Sequence, residues 1–192
     1  MVDPAACALF LIFAFVLAGV AQTAWLRSPL SLRFNTPIDC SLHFRGRPVF
    51  GPNKTVRGFV VMVPATAVSF CLLGALSSRD PGLSARLWPL TPPAFGFLGF
   101  WAGLGFMLGE LPNSFVKRQL GIPPGEPPQG RLAKIVFSVA DRLDSIAGML
   151  LAVSLAVGTP WQTWAYLALL GPPIHWLFSA LLYLLGVKAR PA

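Results

Sequence analysis

The chain has 192 residues, of which 55% are hydrophobic and only 11% are charged, and its formal net charge is +8. This composition excludes an ordinary soluble domain of this size and indicates an integral membrane protein. A basic balance in a membrane protein more often reflects cytoplasmic loops and contacts with lipid or phosphate than nucleic-acid binding, so we expect no nucleic-acid partner.

Several stretches of the chain are apolar enough to cross a bilayer, which needs roughly 20 apolar residues for each helix. These predicted spans cover about residues 5–26, 57–77, 94–111, 135–157 and 161–187. The sequence therefore predicts an all-α integral membrane protein with five transmembrane helices. We expect them to form a single membrane-embedded domain over residues 1–192.

The Lys and Arg residues between these spans indicate the orientation. Segments 27–57 and 112–134 and the C-terminus are basic, whereas the opposite side carries only Arg79 and Arg86. The positive-inside rule places the basic segments in the cytoplasm. The first positive charge, Arg27, follows the first apolar stretch, which is the reverse of the order in a secretory signal. We therefore predict a multi-pass protein of the plasma membrane with its N-terminus outside and its C-terminus in the cytoplasm.

The first polar cluster, G-P-N-K-T-V-R-G over residues 51–58, lies directly before the second span. Asn53 or Thr55 can cap the helix, because their side-chain oxygens accept hydrogen bonds from free amides at a helix start. The positive end of the helix, flanked by Lys54 and Arg57, suits a phosphate group. An ordinary cap with cations that anchor the cytoplasmic end explains this pattern equally well.

The second polar cluster ends the third span at residues 109–118. Glu110 follows the apolar stretch, and Pro112 argues against a continuous straight helix at this point. Asn113 and Ser114 supply polar groups where the backbone pairing is interrupted, and Lys117 and Arg118 follow one turn later. A snorkelling interface anchor is the alternative. The carboxylate at the same depth as the cations favours a functional site.

The third polar cluster lies inside the predicted span 135–157, which carries Asp141, Arg142 and Asp144. Each ionised group in hydrocarbon costs roughly 2.5–3.5 kcal/mol on insertion scales and persists mainly beside polar groups or ions. The two aspartates are three residues apart, so they share one face of a helix. They form a candidate divalent-cation site. The alternative is an internal salt-bridge cluster in which Arg142 or a loop cation neutralises the acids.

All three clusters lie at the cytoplasmic ends of hydrophobic spans. Carboxylates are available for a cation and bases for anions, namely Glu110, Asp141 and Asp144, and Lys54, Arg57, Lys117 and Arg118. Mg²⁺ uses one or two protein carboxylates and completes its shell with substrate phosphates and water. Positioning and charge neutralisation provide most of the catalysis in phosphoryl transfer. The sequence therefore predicts phosphoryl or nucleotidyl transfer, and the membrane setting suggests a lipid as one substrate.

The order of three motifs carries a family resemblance. G-x-N-K-T-x-R-G, then G-E-x-x-x-S-F-x-K-R-x-L-G-I-x-P-G, then D-R-L-D-S resembles the CDP-archaeol synthase family, a branch of the CTP:phosphatidate cytidylyltransferase superfamily, from Pro37 to about Leu151. The resemblance implies transfer of a cytidylyl group from CTP to a membrane lipid phosphate with Mg²⁺. The products would be pyrophosphate and a CDP-lipid of the CDP-archaeol or CDP-diacylglycerol type.

The resemblance also implies roles for the residues at matching positions. Asp141 and Asp144 would hold the metal, and Lys117 and Arg118 would act with them in catalysis. Glu110, a further candidate metal ligand, stands where this family usually has Asp. The remaining candidates would bind the nucleotide or the lipid phosphate; they are Asn53, Lys54, Thr55, Arg57, Ser114 and, less directly, Asp39.

Two other classes of protein are compatible with the sequence. A small membrane transporter would use Asp141 and Asp144 in an ion pathway, although the charges cluster at one membrane face instead of lining the midplane. A non-catalytic membrane scaffold would use the G-x-x-x-G pairs of the third span, which let helices approach closely. The same glycines permit a homodimer without requiring one.

Overall fold

In a computed structural model of the protein, the structure describes residues 2–186. Within this range the α-helices are α1 (Pro4–Arg27), α2 (Val56–Ser77), α3 (Pro81–Ser84), α4 (Pro92–Gln119), α5 (Arg131–Ala156) and α6 (Trp161–Leu184). A 3-10 helix covers Pro29–Phe34. The long helices confirm that the protein is mostly helical.

The segment between α1 and α2 corrects the all-α prediction. Strands β1 (His43–Phe44) and β2 (Arg47–Pro48) form a minimal antiparallel hairpin. The two residues between them, Arg45 and Gly46, both have positive φ, as the tight turns that join antiparallel strands require. The hairpin packs on the end of α4, where the rings of Phe44 and Phe115 lie 5.7 Å apart.

Among the described residues, four helices are long and apolar enough to cross a membrane: α1, α2, α4 and α6. Four of the predicted spans fall on these helices, and residue 187 at the end of the last span lies outside the described residues. The predicted span 135–157 is also helical, but α5 is not in this group. The helix carries several charges, namely Arg131, Lys134, Asp141, Arg142 and Asp144.

The helices pack in the cyclic order α1, α2, α4, α5, α6. Their apolar core lies at one end of this ring, where α1, α4 and α6 begin and α2 and α5 end. There the ring of Phe10 lies 5.2 Å from that of Phe70 and 5.0 Å from that of Phe95. The opposite end of the ring brings together the start of α2, the end of α4 and the start of α5, which carry the predicted polar clusters.

Glycines let α4 pack closely against two helices. A Cβ atom added to Gly99 would lie 2.6 Å from the Cβ of Phe70 in α2, and Gly103 faces the same helix. A Cβ on Gly105 would lie 2.6 Å from a backbone oxygen of α5, which Gly109 also faces. The G-x-x-x-G pairs therefore serve contacts within one chain, and they no longer argue for a homodimer, which stays a prediction.

The course of α4 corrects a second prediction. The helix continues through Pro112 to Gln119, so the expectation of an interrupted helix was wrong. A proline inside a helix removes one hydrogen bond and crowds the preceding turn, at a cost of about 3 kcal/mol. Tertiary contacts on both sides offset this cost, because Gly109 packs on α5 before the proline and Lys117 is ion-paired with α5 after it. The whole second polar cluster therefore lies on one helix.

Candidate functional site

The centre of the candidate site is a pair of carboxylates held by one amide. The side-chain nitrogen of Asn113 in α4 donates to Asp141 Oδ1 at 2.6 Å and to Asp144 Oδ2 at 2.9 Å. The two aspartates of α5 therefore lie on the same face of the helix, as their spacing predicted. Their carboxylates converge on a single point between α4 and α5.

A close helix crossing brings this part of α5 onto α4. A Cβ atom on Gly109 would lie 2.4 Å from the carbonyl oxygen of Asp144, and a Cβ on Gly148 would lie 2.3 Å from that of Gly105. Only glycine allows backbones to approach this closely. The crossing therefore sets the distance between Asp144 and the polar side chains of α4.

Lys117 neutralises the outer aspartate. Its ammonium group donates to both oxygens of Asp141, the distance to Oδ2 being 2.6 Å, and it lies 5.5 Å from the centre of the Phe137 ring. Arg142 instead donates to the backbone oxygen of Ser138 at 2.6 Å and to its hydroxyl. The cation beside Asp141 thus comes from α4, and Arg142 is not the residue that neutralises it.

Glu110 lies one turn before Asn113 and joins the first polar cluster to the site. Its Oε2 is ion-paired with Lys54, and its Oε1 accepts a hydrogen bond from the hydroxyl of Ser145 at 2.8 Å. The same hydroxyl lies 3.2 Å from Asp144 Oδ1. No group of three or more His, Cys, Asp or Glu residues placed to hold a metal is found within residues 2–186. Glu110 is thus paired with Lys54, and the role of Glu110 as a metal ligand stays a prediction.

Arg118 is a buried cation with unused hydrogen-bond donors. It is 8% exposed, and its Nε and Nη1 atoms are buried without a hydrogen-bond partner in the described part of the chain. A Cβ atom on Gly51 would lie 3.5 Å from the Cδ of Arg118, so the side chain packs against the loop that contains Gly51. A charged group left without a partner is costly to bury. Arg118 therefore suits an anionic ligand, and Ser114, one turn earlier, is also buried.

The start of α2 differs from the predicted cap. Thr55 occupies the N-cap position, but its side chain makes no capping hydrogen bond, so this part of the prediction was wrong. The backbone pairs there with an extended segment instead, since Val56 N donates to Thr36 O at 3.0 Å and Ile38 N donates to Lys54 O at 2.9 Å. Asn53 is exposed beside Gly125. The chain thus holds Lys54 in place through its backbone.

Asp39 organises the loop that covers Arg118. It is 4% exposed and accepts backbone hydrogen bonds from Ser41 at 3.1 Å, from Phe50 at 2.8 Å and from Gly51 at 3.0 Å. Burial acts to raise the pKa of Asp39, but these donors together outweigh it and hold the pKa below its usual value. Asp39 therefore lies inside the loop, where its carboxylate accepts hydrogen bonds from the backbone.

Arg57 lies apart from the aspartate pair. Its Nε donates to the hydroxyl of Ser31 at 2.9 Å, and its Nη2 donates to the carbonyl of Leu26. The indole of Trp25 donates to the carbonyl of Arg57 at 3.0 Å. These contacts join the start of α2 to the end of α1 and to the 3-10 helix. The structure thus does not bring Arg57 to the site in which it was predicted to bind substrate.

The bridging role of Asn113 was missed from the sequence. Glu110, Asn113, Ser114 and Lys117 are three or four residues apart, which places them on one face of a helix. A helix continued through Pro112 would have placed Asn113 on this face, but its partners lie on α5, and spacing within α4 does not reveal them.

Comparisons with known proteins identify the family. A sequence profile described as CarS-like CDP-archaeol synthase matches residues 9–191. A CDP-archaeol synthase of Methanopyrus kandleri is 35% identical over 148 residues, which are 76% of this chain and 73% of that protein. A CDP-archaeol synthase of Halobacterium salinarum is 34% identical over 167 residues, which are 81% of this chain and 82% of that protein.

A solved structure of an intramembrane enzyme for archaeal membrane lipid biosynthesis has the same fold. Its TM-score is 0.55 and its sequence identity 26%, and the match covers 85% of this chain and 89% of that chain. The apolar helices and this likeness establish a membrane protein. The chain belongs to the CDP-archaeol synthase family and is a membrane enzyme of the lipid-phosphate cytidylyltransferase class.

Proposed function

We propose that the protein uses Mg²⁺ to transfer a cytidylyl group from CTP to an ether-lipid phosphate of the archaeal type, with release of pyrophosphate. Its relatives are named for CDP-archaeol, which supports this lipid. The observation that carries the proposal is the buried guanidinium of Arg118. Its Nε and Nη1 have no partner within the described residues, and it follows directly on Lys117, which contacts Asp141. Phosphate is a natural ligand for such a guanidinium, because its oxygens match the planar donors of arginine.

The aspartate pair fits a divalent cation. Asp141 and Asp144 each have an oxygen within 2.9 Å of one point, which the Asn113 nitrogen occupies. Magnesium favours oxygen ligands and takes only one or two carboxylates when substrate phosphates complete its shell. When bound by Asp141 and Asp144, the ion would neutralise charge on the phosphates of CTP.

The basic residues bind the substrate phosphates and neutralise their charge. In the reaction a lipid phosphate oxygen forms a bond to the α-phosphorus of CTP, and the bond from that phosphorus to the oxygen bridging to the β-phosphorus breaks. The bridging oxygen keeps the electron pair and leaves with pyrophosphate. A phosphate monoester is largely ionised at neutral pH, so the attack needs no protein base. Arg118, Lys117 and Lys54 therefore act by holding the phosphates in line and by offsetting their negative charge.

The proposed membrane placement includes α5 as a fifth span. Its 26 residues would extend about 39 Å, enough to cross a bilayer. Its charged turns at residues 141–144 pack against polar groups of α4, which lowers the cost of placing them near hydrocarbon. We place the N-terminus outside and the site at the cytoplasmic face of the plasma membrane, where CTP is available. Lys188 and Arg190, used for this orientation, lie outside the described residues.

The test is formation of CDP-lipid by the purified full chain in detergent with labelled CTP, Mg²⁺ and either archaetidic-type ether-lipid phosphate or phosphatidate. We expect labelled CDP-lipid and an equal amount of pyrophosphate, with the ether lipid preferred. Arg118→Lys keeps the charge but loses the planar donors, and it should lower kcat/KM by about 100-fold, as for loss of one strong charged hydrogen bond.

Arg79→Gln is the matched control, since Arg79 lies exposed beyond the other end of α2. It should leave the rate unchanged. Absence of CDP-lipid with both lipids would reject the proposed reaction, and an Arg118→Lys rate equal to wild type would reject the role of Arg118.

A further inference from the structure

Asn113 stands at the point where the two aspartates converge. Both of its short contacts, 2.6 Å to Asp141 and 2.9 Å to Asp144, are made by the same nitrogen atom. An amide N–H₂ group has two donors and no acceptor, so it satisfies two carboxylates but repels a cation. The N–H₂ group and a divalent ion therefore compete for the same two carboxylate oxygens.

The amide can resolve this competition by turning. The last side-chain torsion of asparagine is broad and roughly two-fold, so a half-turn exchanges its nitrogen and its oxygen. The oxygen would then face two carboxylates, an arrangement that repels unless a cation lies between them. With the cation present, the same half-turn adds a carbonyl oxygen to two carboxylate oxygens, which is an oxygen set suited to Mg²⁺ or Mn²⁺.

The half-turn exchanges two atoms of similar size, so it requires no movement of the backbone. Asn113 lies one helical turn after Gly109, where α4 and α5 are in their closest contact, so the two helices hold the position of its Cα atom. The side chain of Asp141 is 46% exposed, which leaves a path from water to the pair. Lys117 on Asp141 can move to a phosphate when a cation arrives, because its chain is long and flexible.

We infer that Asn113 belongs to the divalent-cation site, where it both positions the two aspartates and binds the cation. Its N–H₂ group cross-links Asp141 and Asp144 before the cation binds, and its carbonyl oxygen becomes a third protein ligand when the cation is bound. This inference rests on the proposed function, since it concerns the metal of that reaction. It assigns a role to a residue that the family resemblance left without one.

The test is Mn²⁺ binding to the purified full chain in detergent, followed by electron paramagnetic resonance of the free ion without CTP or lipid. Asn113→Ala should weaken Mn²⁺ binding at least tenfold, in the range found for groups that orient metal ligands. Asn113→Asp should bind Mn²⁺ at least as tightly as wild type, because its carboxylate offers an oxygen ligand. The Asp variant should also gain more thermal stability on addition of Mn²⁺ than wild type, since the metal relieves the repulsion among three carboxylates.

Ser154→Ala is the matched control. It removes one side-chain hydrogen bond of α5, that from Trp164 at 3.1 Å, about 15 Å along the helix from Asp144. It should leave Mn²⁺ affinity unchanged.

The two variants of Asn113 separate ligation from a purely structural bridge. If Asn113 were only a structural bridge, both variants would bind Mn²⁺ weakly, because neither Ala nor an ionised Asp can donate a hydrogen bond to the two aspartates. Weak binding by Asn113→Asp, equal to that of Asn113→Ala, would therefore overturn the inference, as would wild-type affinity in Asn113→Ala. A wild-type protein that binds no Mn²⁺ with or without CTP would overturn it too.

Formation of CDP-lipid by the same wild-type preparation decides the proposed function separately. Turnover together with unchanged Mn²⁺ affinity in Asn113→Ala would reject only the role of Asn113. A preparation that binds Mn²⁺ as expected but forms no CDP-lipid would reject only the reaction.

Discussion

Replacement of Gly109 by alanine tests whether the crossing of α4 and α5 sets the geometry of the site. The new Cβ atom would lie 2.4 Å from the carbonyl oxygen of Asp144 and 2.9 Å from the Cα of Gly148. Ordinary van der Waals contact begins at 3.4 Å, so the helices must separate by about 1 Å. This separation would lengthen the 2.9 Å contact from Asn113 to Asp144 beyond hydrogen-bond distance.

Gly109→Ala should affect both the stability of the protein and its rate. Overpacking of this kind typically costs about 1–3 kcal/mol of unfolding free energy. A displacement of about 1 Å in a catalytic group can cost about 100-fold in rate. We therefore expect kcat for CDP-lipid formation to fall about 100-fold while the protein still folds, because the strain is shared along two long helices.

The assay is the initial rate of CDP-lipid formation at saturating CTP, together with thermal unfolding followed by tryptophan fluorescence. Gly158→Ala is the control, since a Cβ on Gly158 would have no neighbour within 4 Å. A Gly109→Ala rate within threefold of this control would refute the argument that the crossing positions Asp144. Lower stability with an unchanged rate would show that the crossing serves the fold alone.

Two further predictions concern residues whose contacts lie in the loops and helix ends. Asp39→Asn should lower the unfolding free energy by about 2 kcal/mol at pH 7, because a single amide oxygen replaces a carboxylate that accepts three backbone hydrogen bonds. The pKa of Asp39 is lowered by folding from 3.8, so its stabilisation is complete above about pH 4 and is lost as the pH falls through the lower folded pKa. Unfolding midpoints of both proteins should therefore converge at acid pH, and a constant difference would contradict the reasoning. Arg57→Lys should lower the unfolding temperature, because Lys lacks the planar guanidinium that reaches both Ser31 and Leu26. The KM for CTP should stay within about twofold, because Arg57 lies apart from the aspartate pair. A large rise in KM would return Arg57 to the substrate site.

Length and hydropathy predicted the long helices well, since a span of the membrane demands an apolar stretch whose backbone bonds are internal. The prediction failed at Pro112, because the local cost of a proline is smaller than the contacts that hold α4 against α5 on either side. It also missed the hairpin at Arg45 and Gly46, where two short strands carry too few residues to show a pattern.

The site shows the same division. Ionisable residues in apolar stretches are costly, so their presence alone singled out Glu110, Asp141 and Asp144. Their partners could not be read from spacing, because Lys54 reaches Glu110 across 56 positions of the chain and Asn113 reaches Asp144 across 31. Arg57 carries the same charge as Arg118. Arg57 joins helix ends, whereas two donor atoms of Arg118 have no partner within residues 2–186.

By itself the sequence determined that this chain enters a membrane, which residues bear charge there, and to which family it belongs, since these follow from composition and from the order of short motifs. Only the tertiary structure decided which charges meet. The glycines of α4 bring backbones into contact, and that contact makes one amide the link between two carboxylates. Such a link depends on distances below 3 Å between separate helices, and the periodicity of one helix carries no information about them.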